Sequence, residues 1–375
     1  MISSSAGFRV LNTIIISSSL ALLSACSDNT PAKPDTQSKT PETQRSDDDS
    51  DDDSSDNPKD FASITQSLSA LQARGAQGEE AVDLLADALE VSPKQAAEWA
   101  ATLPAGLNKD ACLEIVFKSW SQKAPKDAAQ FAKSHLKGVD YRLALASVVE
   151  GAASSSPETA VALLAGEREP LLRAALIDSL ISGAVDDNSE FLAEWAAALP
   201  QGNDRAQSIA SLVEEWSMRR PVDCEKWFSR TLTPEEKNDS AVSLVTNWAS
   251  LNPREARAWV DAQTNPELKG SASIALVESW AFVDPLAASQ WAAGLQDLVL
   301  KKSALETVSA AWVVNDTPGA VEWASKLPDT SLQQTALQAA FERLAAESPA
   351  ALEYWIEQHP AHPARIFAQA ALAEQ

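Results

Sequence analysis

The sequence predicts an all-α protein, a right-handed α-α solenoid of about nine 32-residue helical hairpins with terminal capping helices. Three observations predict it. All twelve tryptophans fall on two phases of a 32-residue period. Ser, Asn or Asp followed by Pro recurs on the same period. One nonapeptide is spelled three times, as AAEWAATLP at 96–104, LAEWAAALP at 192–200 and AVEWASKLP at 320–328. A single hairpin of this length cannot close a core, so its copies must stack.

In chain order, residues 1–25 carry one early cation, Arg9, then an apolar stretch and then small residues. This is the form of a secretory signal, too short and too serine-rich for a membrane span. Its ending LSAC, Leu23 to Cys26, resembles the lipobox of bacterial lipoproteins, in which the Cys is lipidated on sulfur and becomes the mature N-terminus. The resemblance implies a lipid anchor at Cys26 and membrane attachment through that residue only. Ser27 stands where many members that stay in the inner membrane carry Asp, so the resemblance implies an outer-membrane lipoprotein of the bacterial cell envelope.

Residues 26–60 are rich in Ser, Thr, Asp, Pro and Lys and include SDDDSDDDSSD at 46–56. With so few apolar groups to bury, this stretch is expected to be a disordered acidic tether. No glycine turn or distal Glu completes a calcium loop there.

Residues 61–75 are expected to form an N-terminal capping helix, 76–363 the nine hairpins and 364–375 a C-terminal capping helix. Stepping by 32 from Trp99 gives Phe131, Leu163, Trp195, Trp227, Trp259, Trp291, Trp323 and Trp355. The second phase holds Trp120, Trp216, Trp248, Trp280 and Trp312, ends on Leu344, and has Ala152 and Ala184 in its early units. These indoles are assigned to the repeat core. Pro93, Pro125, Pro157, Pro221, Pro253, Pro285 and Pro349 keep the period, with Ser92, Ser156, Asn252, Asp284 and Ser348 directly before five of them. An N-cap followed by Pro at the first helical position starts a helix. From Pro253 such a helix is expected to break at TNPELKG, 264–270, giving two helices of about eleven residues per unit. Small residues at Ala96, Ala128, Ala160, Cys224, Ala256, Ala288 and Ala320 are expected to let helix axes approach.

The order Trp227, Ala241, Val245, Trp248, Pro253 and the junction from Pro253 to Trp259 resemble the tetratricopeptide repeat family. The period is 32, against about 34 in that family. Trp248 holds the small position of the second helix, and Leu103, Leu199 and Leu327 replace the family's glycine. The resemblance spans 76–363 and implies a concave surface that binds peptides or proteins, without catalytic residues.

The formal charge of −23 excludes nucleic-acid binding as a function class, since that needs clustered Lys and Arg. No nucleophile–base motif or phosphate loop is present, and neither enzymatic activity nor a cofactor is expected. His359 and His362 in HPAHP have no further ligands to complete a metal site, so no metal is expected. Cys112 and Cys224 lie three and a half units apart and read as buried free thiols. Glu98, Glu194 and Glu322, beside the nonapeptide indoles, share their phase with Gln130, Ala162, Lys226 and Gln290, as an exposed helix face tolerates.

One polar phase stands out: Lys109, Arg173, Arg205, Lys237, Lys269, Lys301 and Arg365, interrupted by Tyr141 and Gln333. Two readings are open. Each cation pairs with an acid on the adjoining hairpin or covers helix-end carbonyls, or together they form a basic ridge that holds an acidic partner. The expected function is an interaction scaffold for one or more unidentified proteins, anchored through Cys26. The alternative is a cell-wall or polysaccharide binder whose exposed tryptophans stack on sugars.

Overall fold

The structure is a computed structural model that describes residues 60–73, 79–105 and 107–374. Cys26, the leader and the acidic stretch lie outside the described residues. Within the compact unit Pro58–Gln375, every regular element among the described residues is a helix, nineteen in all. They are α1 (Phe61–Ala73), α2 (Glu79–Val91), α3 (Pro93–Thr102), α4 (Leu107–Lys123), α5 (Pro125–His135), α6 (Gly138–Ser155), α7 (Pro157–Ala165), α8 (Pro170–Ala198), α9 (Asn203–Arg219) and α10 (Pro221–Thr231). There follow α11 (Pro234–Leu251), α12 (Pro253–Ala262), α13 (Pro266–Val283), α14 (Pro285–Gly294), α15 (Leu298–Asn315), α16 (Thr317–Ser325), α17 (Thr330–Glu347), α18 (Pro349–Gln358) and α19 (Arg365–Ala373).

The proline phase starts the short helices. Ser92, Asn252, Asp284, Asp316 and Ser348 each accept a hydrogen bond from a backbone N–H of the first turn that follows. Each satisfies an orphan donor while the following Pro lacks one. Ser156 does otherwise, turning its hydroxyl to Thr159 Oγ1 at 2.7 Å. Where Ser189 replaces the Pro, the long and the short helix meet directly: α8 comprises two helical segments joined across a kink at Asn188, φ −126°, ψ 28°.

The second helix of each unit corrects the sequence expectation. Beginning with α11, these helices run 18 residues, not eleven. The break at TNPELKG is there but shorter than expected: the helix from Pro253 ends at Ala262, and only Gln263, Thr264 and Asn265 are non-helical. Asn265 accepts from the N–H groups of Glu267 and Leu268, Pro266 takes the first helical position, and α13 starts there. Gly270 lies inside that helix with open space where a Cβ would go. The same residues that read as a turn are a second N-terminus.

Long helices pack on long helices in chain order, α4 on α6, α6 on α8, α8 on α9, and so on to α17 on α19. Each short helix packs against the long helices that precede and follow it. The small-residue phase sits at these contacts. Ala96, Ala128, Ala160, Cys224, Ala256, Ala288 and Ala320 are all fully buried. The closest approaches use glycine: a Cβ on Gly151 of α6 would lie 2.1 Å from the Lys118 carbonyl of α4, and one on Gly183 of α8 would lie 2.2 Å from the Glu150 carbonyl of α6. No helix among the described residues is long and apolar enough to cross a membrane.

Candidate binding groove

The polar phase singled out in the sequence lies in the first turn of the long helices, and the structure engages most of it internally. Lys109 Nζ pairs with Asp140 at 2.7 Å, Arg173 with Asp204, and Arg205 Nε with Glu236 Oε1 at 2.6 Å. In every case the acid lies 31 residues on, at the start of the next long helix. The same guanidinium reaches back to the end of the preceding helix. Arg173 donates to the carbonyls of Leu164 and Glu167, and Arg205 to those of Ala196, Ala197 and Leu199. Each arginine thus satisfies orphan carbonyls of one helix end and binds the carboxylate of the next unit.

Tyr141 and Gln333, the two interruptions, obey the same geometry. Tyr141 carries no charge, the acid slot after it is Leu172, and both join one apolar cluster. Gln333 donates to the carbonyls of Ser325 and Leu327. Lys237 and Lys269, followed 31 residues on by Leu268 and Leu300, donate to the carbonyls of Ser229 and Asp261. Arg365 reaches the Pro360 carbonyl at 3.4 Å, and Lys301 has no ion pair among the described residues. Three cations of the phase therefore meet an acid one unit on, and two lysines that face a leucine there, Lys237 and Lys269, turn to helix-end carbonyls, in keeping with the first of the two readings open from the sequence.

Glu236 is the most perturbed carboxylate of this set. Hydrogen bonding from Arg205 is the main cause, with the Thr233 backbone N–H adding to it, and its pKa falls from 4.5 to about 2. Burial raises the thiol pKa of Cys224, which stays a thiol. Cys112 is also free but only half-buried, against the expectation of a buried thiol.

The tryptophans point inward. Trp216, Trp227, Trp248, Trp280, Trp291 and Trp355 are buried. Trp99, Trp120, Trp195, Trp259, Trp312 and Trp323 are partly buried. Two of the indoles are tied to the preceding unit, Trp259 Nε1 donating to Glu225 at 2.9 Å and Trp291 Nε1 to Asp261 at 3.0 Å. Glu98, Glu194 and Glu322 are exposed. His359 stacks on Trp355 with ring centroids 4.6 Å apart and its Nδ1 on the Trp355 carbonyl, while His362 Nδ1 accepts from Ala364 N–H. Both imidazoles finish helix ends, and no cluster of three metal-ligating side chains occurs among the described residues.

Sequence reasoning missed a groove. It has a volume of about 740 Å³ and lies across the N-terminal turns of α8, α9 and α11. Its apolar lining comes from Ala174 and Ile177 of α8 and from Ala206, Ile209 and Ala210 of α9, with Ile177 and Ile209 buried and Ala206 and Ala210 exposed. Leu171 stands at its edge, 78% exposed. Arg173, Asp204, Gln207, Glu236 and Asp239 are polar groups in its lining. Ala174 and Ala206 are two small residues in consecutive units of a phase that elsewhere holds Asp110, Arg142, Asn238, Lys302 and Gln334, with Gly270 small but isolated. That pair was the available sequence signal.

No known protein family, curated protein or solved structure matches the chain.

Proposed function

We propose that this chain is a lipid-anchored envelope protein whose helical hairpins form a right-handed solenoid of about nine units acting as an interaction scaffold. The anchor is Cys26, by the lipobox resemblance of LSAC, and the outer membrane of the bacterial envelope is its place. The tetratricopeptide-like order of residues supports a peptide- or protein-binding role for the stacked hairpins. The observation that carries the reading is the open groove, whose lining includes apolar groups of α8 and α9 and the exposed Leu171. All twelve indoles are buried or partly buried, which favours a protein partner over a polysaccharide held by stacked tryptophans. A concave site that is largely apolar with a few polar groups is what a partner's side chain fills on binding.

Two measurements test this. Iodide should leave the tryptophan emission largely unquenched and blue-shifted; strong quenching of most indoles supports the sugar binder instead. Crosslinking in the native envelope, with a photo-reactive residue in place of Leu171, should give discrete protein adducts. Adducts to glycan alone contradict the scaffold.

A further inference from the structure

The groove's charged groups and Gln207 can be accounted for one at a time; Asn203 and Ser240, also in its lining, are neutral. Arg173 is held by Asp204 and by two carbonyls of the α7 end, so it is a wall of the groove and not a free donor. Glu236 is bound by Arg205 and by the Thr233 backbone N–H. Gln207 donates to Asp178 and Ser211. Asp239 remains: it is exposed and forms no ion pair among the described residues. The groove therefore offers one uncompensated negative charge beside an apolar lining and the exposed Leu171.

Building on the scaffold reading above, we infer that the groove binds an extended peptide segment in which an aliphatic side chain lies next to a Lys or Arg. The aliphatic group fills the space over Ala206 and Ala210 against Leu171, and the cation pairs with Asp239. An acidic segment is disfavoured because every cation at the groove is already engaged, whereas a carboxylate without a partner favours a positive charge. The apolar contact supplies affinity and the charge supplies selection.

The test uses the full chain and an array of random acetylated dodecapeptides, with affinities of the selected peptides then measured by fluorescence anisotropy. Peptides with an aliphatic residue within three positions of a Lys or Arg should be enriched. Ala210→Trp, at an exposed position, should fill the groove and abolish their binding. Asp239→Arg should weaken it about tenfold or more and move the preference toward Asp and Glu. Circular dichroism checks that both variants keep their helix content. If Ala210→Trp abolishes binding and Asp239→Arg changes nothing, the basic-segment inference is wrong while the groove remains a protein-binding site. If no peptide is enriched, or neither variant matters, the groove is not the binding surface and this part of the scaffold reading falls as well.

Discussion

The stack holds the beginnings of its long helices in two ways, and the change falls at Thr233–Glu236. Before it, α6, α8 and α9 have no side-chain cap hydrogen bond at their starts. Bridges between helices do the holding there: Lys109–Asp140, Arg173–Asp204 and Arg205–Glu236. After it, Thr233, Asn265, Asp297 and Asp329 each cap their own helix. The acid slots become Leu268, Leu300 and Leu332, and ion pairs such as Lys302–Glu306, Lys326–Glu322 and Arg343–Glu347 run along single helices. Glu236 belongs to both systems, as the capping-box acid of Thr233 and the partner of Arg205. The comparison teaches that one geometric need, satisfying a long helix's first turn, is met either across units or within one. The first adds a charge link between neighbouring units; the second leaves their coupling to helix packing and to indole bonds such as Trp291 Nε1 to Asp261.

The largest effect is expected where a bridge is most enclosed. Arg205 and Glu236 side chains are 9% and 13% exposed. Arg205→Met should remove the only cation paired with Glu236 among the described residues and a donor to three carbonyls, and cost about 3 kcal/mol or more, read by urea denaturation. Next comes acid. Because the folded pKa of Glu236 is depressed from 4.5 to about 2, its contribution is fully present above about pH 4.5 and lost as pH falls toward 2, on the order of 2 to 3 kcal/mol. Glu236→Gln should flatten that part of the stability–pH curve and lower stability at neutral pH.

A smaller loss is expected at the glycine contact between α6 and α8. Gly183→Ala gains about 1 kcal/mol of helix propensity but forces a Cβ into the Glu150 carbonyl, so melting should show a net loss of about 1 to 3 kcal/mol. In the capped region, Asp297→Ala should cost about 1 kcal/mol. Lys237→Met, which removes one exposed contact to the Ser229 carbonyl, should change stability by less than about 0.5 kcal/mol. A cost for Lys237→Met as large as that for Arg205→Met would erase the distinction between the two regions.

Much of the fold was legible because local chemistry repeats. A Ser, Asn or Asp before Pro marks a helix start from sequence alone, and four of the five such starts on the 32-residue period carry the side-chain cap. The same rule, applied to Asn265–Pro266, gives the second helix its true length; reading Pro266 and Gly270 together as a turn obscured it. The nonapeptide is likewise a structural joint. In its 192–200 copy Ala196 is fully buried, Trp195 is partly buried, and Leu199 closes the helix with its N–H on the Ala196 carbonyl. The groove was illegible because three helices contribute its walls, bringing Ala174, Ala206 and Ala210 to one lining. For the cation phase the sequence left two readings open, because an acid 31 residues away and a carbonyl eight residues back have no local sequence signature that separates internal pairing from an exposed ridge.

Hydrogen–deuterium exchange on the full chain, resolved by peptide, tests the division most directly when Arg205→Met is set beside Asp297→Ala. Loss of the bridge should speed exchange at the end of α8 and in the first turns of both α9 and α11, whereas loss of the cap should speed exchange in the first turn of α15 alone. Exchange confined to α9 in the arginine variant, or spread over two units in the aspartate variant, would contradict it.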